Sequence, residues 1–168
     1  MENQNSTFVS NIVLDSIRIL ILISKFEAKK TFKMTIDKIM LYDYYMKFPN
    51  TMIDKNTMEI NIDCNFYEFY SFYHWKPNII DYNKVMRYLV AKELVKRAVD
   101  KQFYYTATNK GYKFLNELNS EYKNSLNIIA NIIKTNIAKM SDGEVEQEIQ
   151  EKNNVFKRFE GEENGKEI

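Results

Sequence analysis

At 168 residues the chain is long enough for one well-buried core and a small appendage. Its 45% hydrophobic and 14% aromatic content excludes a disordered chain, and only four glycines and two prolines interrupt it, so long helices are favoured. The net charge of +1 conceals a polarity: nine acidic and four basic residues lie between Ser141 and Ile168, which leaves the rest at +6. That surplus suits nucleic-acid contact or an ordinary solvated surface, and excludes neither.

Residues 1–10 are polar and are expected to form a flexible N-terminus. A helix is predicted from about Asn11 to Lys29, carrying Ile12, Val13, Ile17, Leu20 and Ile23, with Ile19, Ile21 and Leu22 widening the apolar face until the middle is apolar all round. Such a helix is buried on several sides or meets a partner. Asp15 and Arg18 interrupt the run Ile12 to Ile23, which is too short and too charged for a membrane span of about 20 residues. The segment also has no basic region before it and no small-residue cleavage site, so a cytoplasmic protein is expected.

Thr35 is placed to cap a second helix through Phe48, and Pro49 to stop it. Ile36, Ile39, Met40 and Tyr44 share its inner face, with Asp37, Lys38, Asp43 and Lys47 elsewhere. Residues 49–77 read as an irregular aromatic insertion. Thr57 to Cys64 alternates enough for a short strand, and the aromatic run from Phe66 to Trp75 either packs on the core or forms a partner surface. Asp81 is expected to cap a third helix reaching about Glu93, with Tyr82, Val85, Met86, Leu89 and Val90 inward.

Two β-prone runs follow, Leu94 to Val99 and Phe103 to Thr106, separated by the turn Asp100-Lys101. Thr108 then stands where a helix N-cap belongs, ahead of Phe114, Leu115 and Leu118 at helical spacing. The apolar series continues through Tyr122, Leu126, Ile129, Ile133 and Ile137, which predicts a final helix of about 30 residues. Its surplus beyond Tyr122 either folds back on the first helix or docks to another chain. Residues 141–168, acidic and with little core potential, are expected to be a frayed helix and then a flexible tail. The order of helix, hairpin and capped helix is that of a winged helix. The expected fold is therefore mainly α with a small β-hairpin, a winged-helix adaptor domain over 11–140 with long N- and C-terminal helices.

No catalytic constellation emerges. His74 is the only histidine and Cys64 the only cysteine, so a zinc site with four ligands at paired spacings is not available, and no internal disulfide can form. No glycine-rich phosphate loop is present, and no cofactor is expected. The positive candidates are basic: Lys84, Arg87 and Lys92 on the third helix, Lys96, Arg97 and Lys101 on the hairpin, and Lys110 beyond it. They suit weak contact with DNA phosphates, or they solubilise an exposed hairpin edge. The third helix offers no run of Arg, Asn and Gln suited to reading base edges. Candidate partner-interface residues are Tyr70, Tyr73, Trp75, Tyr122, Leu126, Ile129, Ile133 and Ile137.

The stretches Ile12-Val-Leu-Asp-Ser-Ile-Arg-Ile-Leu-Ile-Leu, Ile39-Met-Leu-Tyr-Asp-Tyr-Tyr, Val85-Met-Arg-Tyr-Leu-Val-Ala-Lys-Glu-Leu-Val and Tyr105-Thr-Ala-Thr-Asn-Lys-Gly-Tyr-Lys-Phe-Leu-Asn-Glu-Leu together resemble the middle component of ABC-three-component systems. The resemblance covers about residues 8 to 137. It implies a non-catalytic subunit that accompanies an SMC-like ABC ATPase and an effector, often a nuclease. Related Lamassu-type systems act in bacterial anti-phage and anti-plasmid defence. A dimeric winged-helix transcriptional regulator is the alternative.

Overall fold

The first predicted helix is the centre of the molecule. In the computed structural model, which describes residues 11–54, 57 and 78–163 and their side chains up to 154, it runs Ile12–Ser24 (α1). Asn11 caps it by accepting from the backbone N–H of Val13 and Leu14. Ile19, Leu20, Ile21, Leu22 and Ile23 are each at most 1% exposed. Burial all round follows from its neighbours: α1 packs against four later helices and the second strand of the hairpin. The apolar middle thus has intramolecular cover.

The second helix, α2, spans Ile36–Lys47 and is capped by the Thr35 hydroxyl, as its sequence predicts. Pro49 does end it, and also starts a single-turn helix, Pro49–Met52 (α3), a position where the missing N–H costs nothing. The strand and the aromatic run expected between Thr57 and Trp75 lie outside the described residues, apart from Thr57 itself. Helix α4, Ile79–Ala91, begins earlier than expected, because Asn78 rather than Asp81 supplies the cap, accepting from Ile80 N–H at 3.0 Å. Tyr82, Val85, Met86 and Leu89 face inward as predicted, whereas Val90 is 37% exposed.

Helix α4 stops in a Schellman turn: Glu93 N–H donates to Val90 O and Leu94 N–H to Leu89 O, with Glu93 in the left-handed region at φ 60°. The chain emerges as β1 (Val95–Val99), which pairs antiparallel with β2 (Phe103–Ala107) in the register Val95↔Ala107 to Val99↔Phe103. The connection is one residue longer than the predicted turn, with Gln102 joining Asp100 and Lys101; Asp100 N–H closes it onto Gln102 O. On its other edge β2 makes a single bridge, Tyr105 N–H to Met34 O at 2.9 Å, which anchors the hairpin to the segment before α2.

The predicted 30-residue final helix is two helices at an angle. Thr108 caps α5 (Asn109–Glu117), which ends where Leu118 turns extended, and Ser120 caps α6 (Glu121–Thr135) by accepting from Lys123 N–H. The break lets α6 fold back onto α1, one of the two outcomes that the long apolar stripe left open. The acidic segment from Ser141 departs further from expectation. It forms α7, Asp142–Glu163, after a short 3₁₀ turn at Ile137–Lys139. Val145 and Ile149 of α7 are fully buried and join the core. Tyr45 and Tyr44 of α2 donate to Glu148 Oε2 and Asn153 Oδ1 at 2.9 and 3.0 Å, and Lys38 pairs with Asp142. Up to Asn153, then, this helix is an integral layer.

Candidate functional site

Where α1, α4 and α5 meet, the surface opens into a groove of about 250 Å³. Val13, Ser16, Ile17 and Leu20 form one wall, Tyr88, Leu89 and Lys92 a second, and Phe114 with Lys110 a third. Its lining is apolar because each helix turns there the edge of its buried stripe. Apolar surface continues past the rim at the start of α1, where Ile12, Val13 and Leu14 are 39–50% exposed. Two ammonium groups flank the opening. Lys92 lies over the Tyr88 ring at 5.7 Å, and Lys110 reaches Glu93 Oε2 at 2.9 Å. Ser16 is 4% exposed and its hydroxyl has no hydrogen-bond partner among the described residues.

A buried ionic cluster fixes two of the helices that make the groove, α1 and α4, to α2. Arg18 of α1 donates from Nε to Asp43 Oδ1 at 2.6 Å and from Nη2 to Asp43 Oδ2 at 3.1 Å, and also reaches Asp15 at 2.7 Å. Tyr82 of α4 donates its hydroxyl proton to the same Asp43 Oδ2 at 2.6 Å, and Lys47 stands 3.3 Å away. Burial alone would push the Asp43 carboxyl up, but the Arg18 guanidinium, with Lys47 and the Tyr82 hydroxyl, holds it down at about 2. Burial and the neighbouring Asp43 carboxylate push the Tyr82 phenol well above its ordinary range. The chemistry available here is structural: one carboxylate ties α1, α2 and α4 together. Asp43, expected off the inner face of α2, is fully buried; the arginine inside the apolar run of α1, which needs a buried carboxylate, was the signal for this pair.

The structure divides the predicted basic residues. Lys84 pairs with Asp81 at 3.1 Å, Lys110 with Glu93, and the Arg97 guanidinium stacks 4.6 Å over Phe103. Arg87 projects from the exposed face of α4, while Lys96 and Lys101 are exposed on the hairpin. They do not converge on one cradle. Lys84 and Lys92 share a helical row with Tyr88, and Lys92 and Lys110 frame the groove. Of the partner-interface candidates, Leu126, Ile129, Ile133 and Ile137 are buried in the chain's own core, since the kink at Leu118 turns their stripe inward, and they present no surface. Tyr122 is 43% exposed; Tyr70, Tyr73 and Trp75 lie outside the described residues. Among the described residues no group of His, Cys, Asp and Glu side chains is placed to hold a metal ion, and no helix is long and apolar enough to cross a membrane. The groove itself was missed, because Val13, Ser16 and Ile17 sit inside a run that reads as core throughout.

Fold and groove together define a small, mainly helical module with one antiparallel hairpin and an apolar surface left open. The profile of the family described as ABC-three component (ABC-3C) system Middle Component 2 matches residues 10–158, nearly the whole chain. The chain belongs to that family, and is thereby one component of a multi-component system. No curated protein and no solved structure matches it.

Proposed function

We propose that the chain is a non-catalytic adaptor subunit of a bacterial anti-phage and anti-plasmid defence complex of Lamassu type, holding an SMC-like ABC ATPase to an effector nuclease. The observation that carries the reading is the distribution of exposed apolar side chains. Among the described residues, six of the ten large apolar side chains more than a third exposed (Ile12, Val13, Leu14, Ile79, Ile80 and Val90) sit on α1 or α4, the others being Val99 and Phe103 on the hairpin, Tyr112 on α5 and Tyr122 on α6. Large apolar surface concentrated on two helices is the mark of a protein-docking face. In this reading α1, α2, α4 and the hairpin form a winged helix whose wing is β1–β2. Any duplex contact is weak and made to phosphates by Arg87, Lys96, Arg97 and Lys101. Co-expression with the ATPase and effector encoded beside it, followed by affinity purification on this subunit, is expected to recover all three. Recovery of this chain alone, from cells making all three, defeats the proposal.

The regulator reading requires a dimer through the long C-terminal helix. That helix is broken at Leu118 and its apolar stripe is spent within the chain, so the element that would pair two copies is missing from the described surface. A regulator would prefer its own upstream duplex roughly a thousandfold over unrelated sequence in a salt-titrated assay; no such preference is expected.

A further inference from the structure

We infer that the groove between α1, α4 and α5 receives an amphipathic helix from a partner subunit, its apolar side chains filling the groove and a flanking carboxylate meeting Lys92. This rests on the adaptor reading and names the surface and the chemistry through which it works. Three observations converge. At about 250 Å³ the groove is smaller than the roughly 300–1,000 Å³ usual for a drug-sized ligand, and suits one or two inserted side chains. Its apolar lining runs on from Val13 into exposed Ile12 at the start of α1, a continuation along a helix of the kind that a docked helix can follow.

The third observation is charge. Lys92 and Lys110 stand at the rim; Lys110 is paired with Glu93, which leaves Lys92 as the cation a partner carboxylate would meet. Among the described residues no carboxylate lies within ion-pairing distance of Lys92, whose ammonium lies over the Tyr88 ring. A cation on an apolar rim favours a partner with acidic residues beside its apolar stripe. The Ser16 hydroxyl, buried in the groove wall and unpaired, adds a polar group that a partner atom would satisfy.

The test uses the full chain co-expressed with its ATPase and effector. Val13→Asp places a charge in the patch at an exposed first-turn position, where an acidic residue suits the helix N-terminus and spares the fold. Lys92→Glu inverts the rim. Each is expected to cut recovery of one partner by about tenfold or more, with an unchanged thermal midpoint for the isolated chain. Glu146→Lys, on the exposed side of α7, should leave recovery as it was. A glutamate-to-lysine reversal in the partner helix should restore binding to Lys92→Glu and not to Val13→Asp. If the wild-type complex forms and both groove variants recover partners normally, the groove is not the site although the adaptor reading stands. If wild type recovers none, both fail. A small amphiphile found bound to the purified chain by native mass spectrometry, and lost in Val13→Asp, would overturn the helix as occupant.

Discussion

Gly111 passes so close beneath the Leu94 carbonyl that a methyl group on its α-carbon would lie 2.3 Å from that oxygen. The approach is part of a small lock between the end of α4 and the start of α5. The Thr108 hydroxyl donates to Glu93 O at 2.6 Å and accepts from Gly111 N–H at 3.0 Å, while Thr108 N–H donates to Leu94 O at 3.1 Å. One threonine therefore caps α5 and holds the Schellman turn of α4, and only glycine three residues later lets the two backbones meet. Since Leu94 and Lys110 also border the groove, the lock sets its third wall.

Gly111→Ala is expected to destabilise the chain by roughly 1–3 kcal/mol, the range for overpacking a contact whose neighbour is backbone and cannot swing aside. Thr108→Ala should cost about 1–2 kcal/mol through the lost cap, and Thr108→Ser much less, because the hydroxyl remains. Urea denaturation of the three variants checks the order: the midpoint should fall most for Gly111→Ala, with similar slopes for all. Equal midpoints for Thr108→Ala and Thr108→Ser would show that the hydroxyl contributes nothing.

Arg18 and Asp43 answer to a different physics. Replacing Arg18 by Met leaves the fully buried Asp43 with only Lys47 and Tyr82, and a buried pair broken on one side typically loses roughly 3–5 kcal/mol. The pair also predicts a pH dependence. Asp43 titrates at about 2 in the folded chain against an ordinary 3.8, so its contribution is fully present above the ordinary value and is lost as pH falls from about 4 to about 2. By linkage that difference amounts to roughly 2–3 kcal/mol. Stability measured by urea midpoint between pH 5 and pH 2.5 should decline in wild type and decline less in Asp43→Asn, which starts lower.

Much of this architecture was legible in the sequence, for local reasons. Thr35, Thr108 and the hairpin were found because caps and alternation act over three or four residues. The misses share another cause. Asp81 and Asn78 both offer a cap, and the choice depends on how far α4 extends to meet α1. Leu118 looked like one more rung of a continuous stripe; the break comes from Ser120 capturing Lys123 N–H while Lys123 Nζ takes the stranded Leu118 carbonyl at 2.8 Å. The groove depends on three helices meeting, which no window of sequence contains.

The packing of α7 into the core, where a frayed helix was expected, was the largest miss, although its start was written locally. Ser141-Asp-Gly-Glu144 is a capping box: Ser141 N–H and hydroxyl both donate to Glu144 Oε2, and Glu144 N–H donates back to Ser141 Oγ at 3.3 Å. Among the described side chains of α7 the buried ones are Val145, Ile149 and Asn153 at helical spacing, too sparse to outweigh the acidic residues around them. Ile149→Ala should therefore cost about 2–5 kcal/mol, as for other fully buried isoleucines. Ser141→Ala should cost about 1 kcal/mol. Thermal melts of both settle the matter: an Ile149→Ala variant as stable as wild type would return the segment to a tail.

The basic hairpin separates docking from DNA reading. Lys96 and Lys101 are exposed, and Arg97 is exposed although its guanidinium rests on Phe103. Replacing all three with Ala should change stability by no more than about 0.5 kcal/mol, since none supports the core. If these cations meet phosphates, duplex binding should weaken equally for every sequence, and the slope of log K against log salt should become shallower by about 2.7, nearly one per cation. Fluorescence anisotropy with two unrelated duplexes over a salt series measures both quantities. Loss of a preference between the two duplexes would mean base-edge reading, which phosphate contacts do not produce. In the adaptor reading the same triple variant should keep its partner subunits, because the groove lies between α1, α4 and α5 and uses none of the three.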